Sequence, residues 1–130
     1  MASIINASPT NGIVQTADGS GVLKCQANGV TTNALAWVNF NGTGTVAIRS
    51  SYNVSSITDN GTGDYTVNFA TALSDANYSM TASSGTPGTT AGYITYNTTT
   101  PSTTALRLAA VSSLGTLFDA SYVSVTIHGN

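Results

Sequence analysis

Residues 59–69 read Asp-Asn-Gly-Thr-Gly-Asp-Tyr-Thr-Val-Asn-Phe, and this stretch decides the fold. Asn60-Gly61 inside a polar run marks a hairpin turn, because the tight turns that match strand twist need positive φ, which Asn and Gly adopt at least cost. Directly after it, Tyr65, Val67 and Phe69 alternate with Thr66 and Asn68. A period of two puts the three large apolar groups on one face of a strand. Working back, Asn41-Gly42-Thr43-Gly44 repeats the turn signal after Trp37-Val38-Asn39-Phe40, and strands are also expected at Val46-Ala47-Ile48 and Tyr52-Asn53-Val54. Working forward, residues 78–82, 93–96, 106–110 and 121–128 continue the pattern, the last with Val123, Val125 and Ile127 alternating with Ser124 and Thr126. A short helical turn fits residues 70–75. Strands spaced by roughly ten to fifteen residues with turns between them predict an all-β fold, an antiparallel β-sandwich or jelly roll.

The flanks of Tyr93-Ile94-Thr95-Tyr96 differ in kind. Residues 83–92 (SSGTPGTTAG) and 97–104 (NTTTPSTT) read as long, exposed, turn-rich loops. Tyr93, Tyr96, Asn97 and Thr98 are therefore candidate ligand contacts. An aromatic ring stacks on the apolar face of a sugar, while amide and hydroxyl groups bond its hydroxyls. Burial competes with that role, and Trp37 and one of the two tyrosines are expected to face the core.

Residues 1–34 are a different material. Apolar dyads recur at Ile4-Ile5, Ile13-Val14 and Val22-Leu23, and the segments between them are turn chemistry. Each unit is too short to bury its own pair, so the stretch is expected to be an extended strand-and-turn arm that docks on its own domain or on sister chains. Residues 35–130 then form the globular domain.

Composition narrows the function. The 130 residues hold three Lys/Arg and five acidic groups, all Asp. Three cations cannot build the basic face that neutralises phosphates, so nucleic acid is not an expected partner. Charged residues make up 6% of the chain, where about 25% is usual. An exterior carpeted with Thr, Ser and Asn, in part covered by neighbouring subunits, would account for this. The first residues lack a basic segment and a continuous apolar stretch, so neither an export signal nor membrane insertion is expected.

Chemistry for bond breaking is sparse. His128 is the sole histidine, and a nucleophile triad would need it as an end-of-chain base. Asp59 and Asp64 bracket a turn that already explains them. The same run lacks the spaced acidic series of a calcium loop. Cys25 is the sole cysteine and is expected to be a buried thiol. No catalytic residue, metal or cofactor is expected.

One long run is more specific. Residues 36–83, AWVNFNGTGTVAIRSSYNVSSITDNGTGDYTVNFATALSDANYSMTAS, resemble a domain that recurs in tail-fibre proteins of tailed bacteriophages, and residues 15–35, QTADGSGVLKCQANGVTTNAL, are similar to the segment that precedes it there. Together they span about half the chain. The resemblance implies a non-enzymatic, homotrimeric virion protein at the phage surface that touches other virion proteins and contacts a host receptor, glycan or protein. It carries over no catalytic motif. Typical tail fibres have long shafts upstream, so the module is expected either within a fibre or alone, as a capsid decoration or head-fibre protein clamping the capsid, or as a distal tail component. In that second use the arm, with Ile4, Ile5, Ile13, Val14, Val22 and Leu23, would carry assembly.

Overall fold

The molecule, a computed structural model, is described over residues 33–129 and, as backbone alone, at β1 (Gln26–Ala27) and β2 (Val30–Thr31), which pair antiparallel. The expected assembly residues Ile4, Ile5, Ile13, Val14, Val22 and Leu23 lie outside the described residues, as does Cys25.

Eight further strands follow: β3 (Ala36–Asn41), β4 (Ala47–Tyr52), β5 (Val54–Gly61), β6 (Asp64–Phe69), β7 (Ser79–Thr86), β8 (Thr90–Tyr96), β9 (Ala105–Ser112) and β10 (Tyr122–His128). They form one antiparallel sheet in the order β4-β3-β10-β7-β8-β9-β6-β5. The two edge strands, β4 and β5, are consecutive in the chain and joined by Asn53 alone, so the sheet curls round until its edges meet at that residue. The result is a nearly closed, barrel-like sheet within the all-β class expected. The β7-β8-β9 meander has β10 beside β7 and β6 beside β9, two overlapping Greek keys.

Alternation builds the core. Ala36, Val38 and Phe40 of β3, Tyr65, Val67 and Phe69 of β6, Leu106, Leu108 and Ala110 of β9, and Val123, Val125 and Ile127 of β10 all point inward and are buried. Full burial of such aliphatic and aromatic groups contributes about 1.5–3 kcal/mol each. Phe40 meets Tyr65 edge to face at 5.2 Å, and Phe69 meets Tyr78 likewise at 5.9 Å. Residues 113–121 cross one end of the barrel. There the Phe118 ring occupies the space that Gly92 leaves, since a Cβ on Gly92 would stand 2.5 Å from its Cε1.

A second cluster closes the same end. The Tyr65 hydroxyl lies 3.0 Å from the Gly42 carbonyl and 2.9 Å from Asp119 Oδ1, and Asp119 also accepts the Gly63 N–H at 2.7 Å. One buried phenol thus ties together the β3–β4 turn, the β5–β6 turn and the segment leading into β10. Burial, reinforced by the Asp119 carboxylate, pushes the Tyr65 hydroxyl well above its ordinary pKa.

Several expectations change. Both hairpins form; at the first the positive φ falls on Gly44, beyond Asn41-Gly42, while at the second it falls on Gly61 of Asn60-Gly61 (φ 130°) and again on Gly63 (φ 66°). The strand expected at Tyr52-Asn53-Val54 is a break: Asn53 has φ 53°, and its side chain donates to Leu35 O and Thr71 O while accepting from Thr71 N. Residues 70–78 are irregular and contain no helical turn. Residues 83–92 are mostly paired, as β7 runs on to Thr86 and β8 begins at Thr90, leaving a turn at Pro87-Gly88-Thr89. Trp37 is not core. It faces outward beside its cross-strand partner Tyr52, and both rings are exposed.

Candidate functional site

The carboxylates and arginines separate quickly into structural and available groups. Asp59 accepts the Gly61 N–H, Asp75 the Asn77 N–H, and Asp119 the bonds already described, so each of these three holds a turn. Asp64 takes a two-pronged bond from Arg107, Nε to Oδ1 at 2.9 Å and Nη2 to Oδ2 at 2.6 Å. Those bonds hold the Asp64 carboxyl below its ordinary pKa against the opposing effect of burial. Among the described residues no three His, Cys, Asp or Glu side chains come together as a group able to hold a metal.

The outer face of β10, β7 and β8 offers something else. Around the β7–β8 turn an open cleft of about 500 Å³ is lined by residues 83–91 and by Tyr122. Its lining includes Ser83, Ser84, Thr86, Thr89 and Thr90 and one half-exposed ring, Tyr122. The register explains the composition. Tyr122 stands opposite Gly85, and Gly85 opposite Ala91, so two small residues beside the ring leave the space that makes the cleft. Tyr93, two residues past Ala91 on the same face of β8, carries the exposed aromatic surface onward.

Arg49 forms the far wall of Tyr122. Its guanidinium carbon sits 4.1 Å from the Tyr122 ring centroid, Nη2 donates to the Ser121 carbonyl at 2.6 Å, and Nη1 donates to Asn39 Oδ1 at 3.4 Å. Asn39 is itself oriented, donating from Nδ2 to Ser124 Oγ at 2.7 Å. A β-bulge makes this possible. Asn39 pairs with Ser50 while Phe40 pairs with Ile48, which leaves Arg49 as the extra residue of β4. With regular alternation Arg49 would share the core face; the bulge sends it outward and over β3.

The candidate contacts divide along β8. Tyr93 and Tyr96 are both exposed, so neither faces the core; Tyr93 lies two residues along β8 from Ala91 of the cleft lining, whereas Tyr96, Asn97 and Thr98 lie at the other end of the strand. Asn97 is engaged there. Its N–H donates to the Arg107 carbonyl at 3.3 Å, its Oδ1 accepts from Thr98 N at 2.6 Å, and its side chain adds a small lowering of the Asp64 pKa. Tyr96 stands close enough to Tyr78 that burial first, and Tyr96 second, push the Tyr78 hydroxyl up to about 12. Reading the sequence missed Arg49, Asn39 and Tyr122. A polar bulge on β4 and a ring opening β10 come together only through the β3–β10 pairing, and no local signal marks that.

The cleft also has a definite position. It lies at the Tyr122 end of β10, while the chain enters at Leu35, bonded to the Ile127 carbonyl, and leaves through Gly129 at the opposite end. Six residue steps along β10 correspond to roughly 20 Å. No family model, curated protein or solved structure matches this chain.

Proposed function

We propose that this chain is a non-enzymatic attachment module of the phage tail-fibre type, which contacts a glycan on the host cell surface through the cleft between the β7–β8 turn and Tyr122. The observation that carries the reading is the cleft's make-up and place: small residues, five of them Ser or Thr, and one half-exposed ring, at the end of the body away from the points where the chain enters and leaves. Ser and Thr exchange hydrogen bonds with sugar hydroxyls, and Tyr122 and Tyr93 offer ring surface for stacking. Individual sites of this openness bind weakly. A homotrimer at a virion surface, as the tail-fibre resemblance implies, would raise the effective affinity through three simultaneous contacts.

Adsorption of the protein to host cells, together with binding to purified surface glycan, tests the reading. Ala91→Trp, which fills the cleft from an exposed position, and Tyr122→Ala are expected to abolish both while thermal melting stays near the parent value. Undiminished adsorption by both variants would remove the cleft from the account.

A second reading, a capsid decoration or clamping protein, is favoured by one observation. β4 and β5 each have a neighbour on one side only and diverge from Asn53, so both offer strand edges to another chain. Deleting residues 1–30 separates the two readings, because loss of virion incorporation with glycan binding intact supports the clamp.

A further inference from the structure

Resting on the glycan reading of the cleft, we propose that its ligand is acidic, a saccharide whose anionic substituent is received by Arg49. The two arginines of the described residues make the contrast. Arg107 spends its fork on Asp64 in two parallel bonds. Arg49 has equivalent chemistry and no carboxylate: its partners are a backbone carbonyl, an amide oxygen and the face of a tyrosine ring, all neutral. A guanidinium has five N–H donors, so two bonds leave three to offer.

Arg49 is held in place for that offer. A surface arginine free to move keeps the rotamer entropy of a long side chain, and fixing it is unfavourable unless the contacts compensate. Here a bulge turns the backbone, Ser124 orients Asn39, Asn39 and the Ser121 carbonyl hold the fork, and Tyr122 stacks beneath it. The same Tyr122 ring lines the cleft. Arg49 lies outside the cleft lining, over the Tyr122 ring, so a saccharide that extends from the cleft across Tyr122 meets a pre-oriented cation, and a planar carboxylate fits that fork better than any neutral group. The carboxylates nearest in sequence give no competition, since Asp59 holds the β5–β6 turn, Asp64 is bound to Arg107 and Asp119 to Tyr65 and Gly63.

The test titrates the full chain with oligogalacturonate and with the same oligosaccharide after reduction of its carboxyl groups, read by chemical shift or calorimetry at low and moderate salt. A phosphorylated oligosaccharide of equal length forms a third arm, to tell a carboxylate from a phosphate substituent. Binding of an anionic form at least about tenfold tighter than the reduced form is expected, weakening as salt rises. Arg49→Gln is expected to erase that preference and Arg49→Lys to retain part of it, because the lysine keeps the charge without the fork. Position 49 is exposed, and unchanged melting curves verify the fold. Equal binding of charged and reduced sugars, lost in Ala91→Trp but retained in Arg49→Gln, would overturn the acidic ligand and leave the cleft reading standing. Failure of every arm, with Ala91→Trp adsorbing normally to cells, would overturn both.

Discussion

Replacing Tyr65 by Phe removes one oxygen from the end of the barrel and little else. The ring stays, with its edge-to-face contact to Phe40, and so does its complete burial. What goes is a hydroxyl whose single proton is shared between the Asp119 carboxylate at 2.9 Å and the Gly42 carbonyl at 3.0 Å. A hydrogen bond to a charged acceptor contributes about 1.5–3 kcal/mol, and Asp119 keeps its bond from Gly63 N, so the expected cost is about 2 kcal/mol. For a domain of this size that corresponds to a fall in Tm of roughly 8 °C. Urea unfolding at neutral pH should show the midpoint lowered with the slope unchanged. A cycle with Asp119→Asn should return a coupling near half the single-mutant effect or more, because charge on the acceptor is removed while an oxygen remains. High pH supplies a second reading. The Tyr65 pKa is raised by folding, so its contribution is complete below the unfolded value of 10.0 and is lost as pH climbs toward the folded one. The parent should lose stability above pH 10, and Tyr65→Phe should lose less over the same range. A variant within about 0.5 kcal/mol of the parent, with the same alkaline slope, would refute the reasoning.

Other outcomes follow from the same geometry. Tyr78→Phe should remove a further part of the alkaline slope, since that hydroxyl is pushed up to about 12, as followed by fluorescence-detected unfolding between pH 9 and 12. Asp64 shows the opposite sign. Its pKa is lowered by Arg107, so its contribution is present above the unfolded value of 3.8 and lost as pH falls below it, and Asp64→Asn should flatten the acid limb of a stability profile while lowering the plateau. Gly63→Ala should be among the most damaging single changes, at about 3 kcal/mol or more, because φ is +66° and the new Cβ would stand 2.7 Å from the Ala110 carbonyl oxygen; soluble yield and Tm report it. At Asn53, Ala should cost more than Gly by about 1 kcal/mol in urea unfolding, since both lose the side-chain bonds but only Gly accepts φ 53° freely.

The sheet was legible wherever one face of a strand is strongly apolar. Tyr65, Val67 and Phe69, or Val123, Val125 and Ile127, declare a period of two that no helix would bury. The reading failed where that contrast fades. The inner row of β7 and β8 runs through Ser84 and Gly92, with Phe118 filling the space from elsewhere in the chain, so residues 83–92 looked like loop. Trp37 was misplaced for a related reason: its neighbours Ala36 and Val38 take the core, and parity sends the largest ring outward. Of the candidate contacts, Tyr93 shares a face of β8 with Ala91 of the cleft lining, while Tyr96, Asn97 and Thr98 belong to the other end of β8. Loop composition suggested polar, aromatic-bearing surface, but only the register could say which rings share it. Arg49 was illegible because a bulge reverses the face that counting assigns.

The pairing of β3 with β10 has a kinetic consequence. Asn39 bonds Ser124 across 85 residues of sequence, so the first strand of the body acquires its inner neighbour only when the last has been made. During synthesis β3 can dock on β4, yet its other margin waits exposed until the ribosome has released almost the whole domain. High contact order of this kind slows folding and lengthens the interval in which unsatisfied strands can find the wrong partner. The scarcity of charge on the chain is, in that interval, a liability.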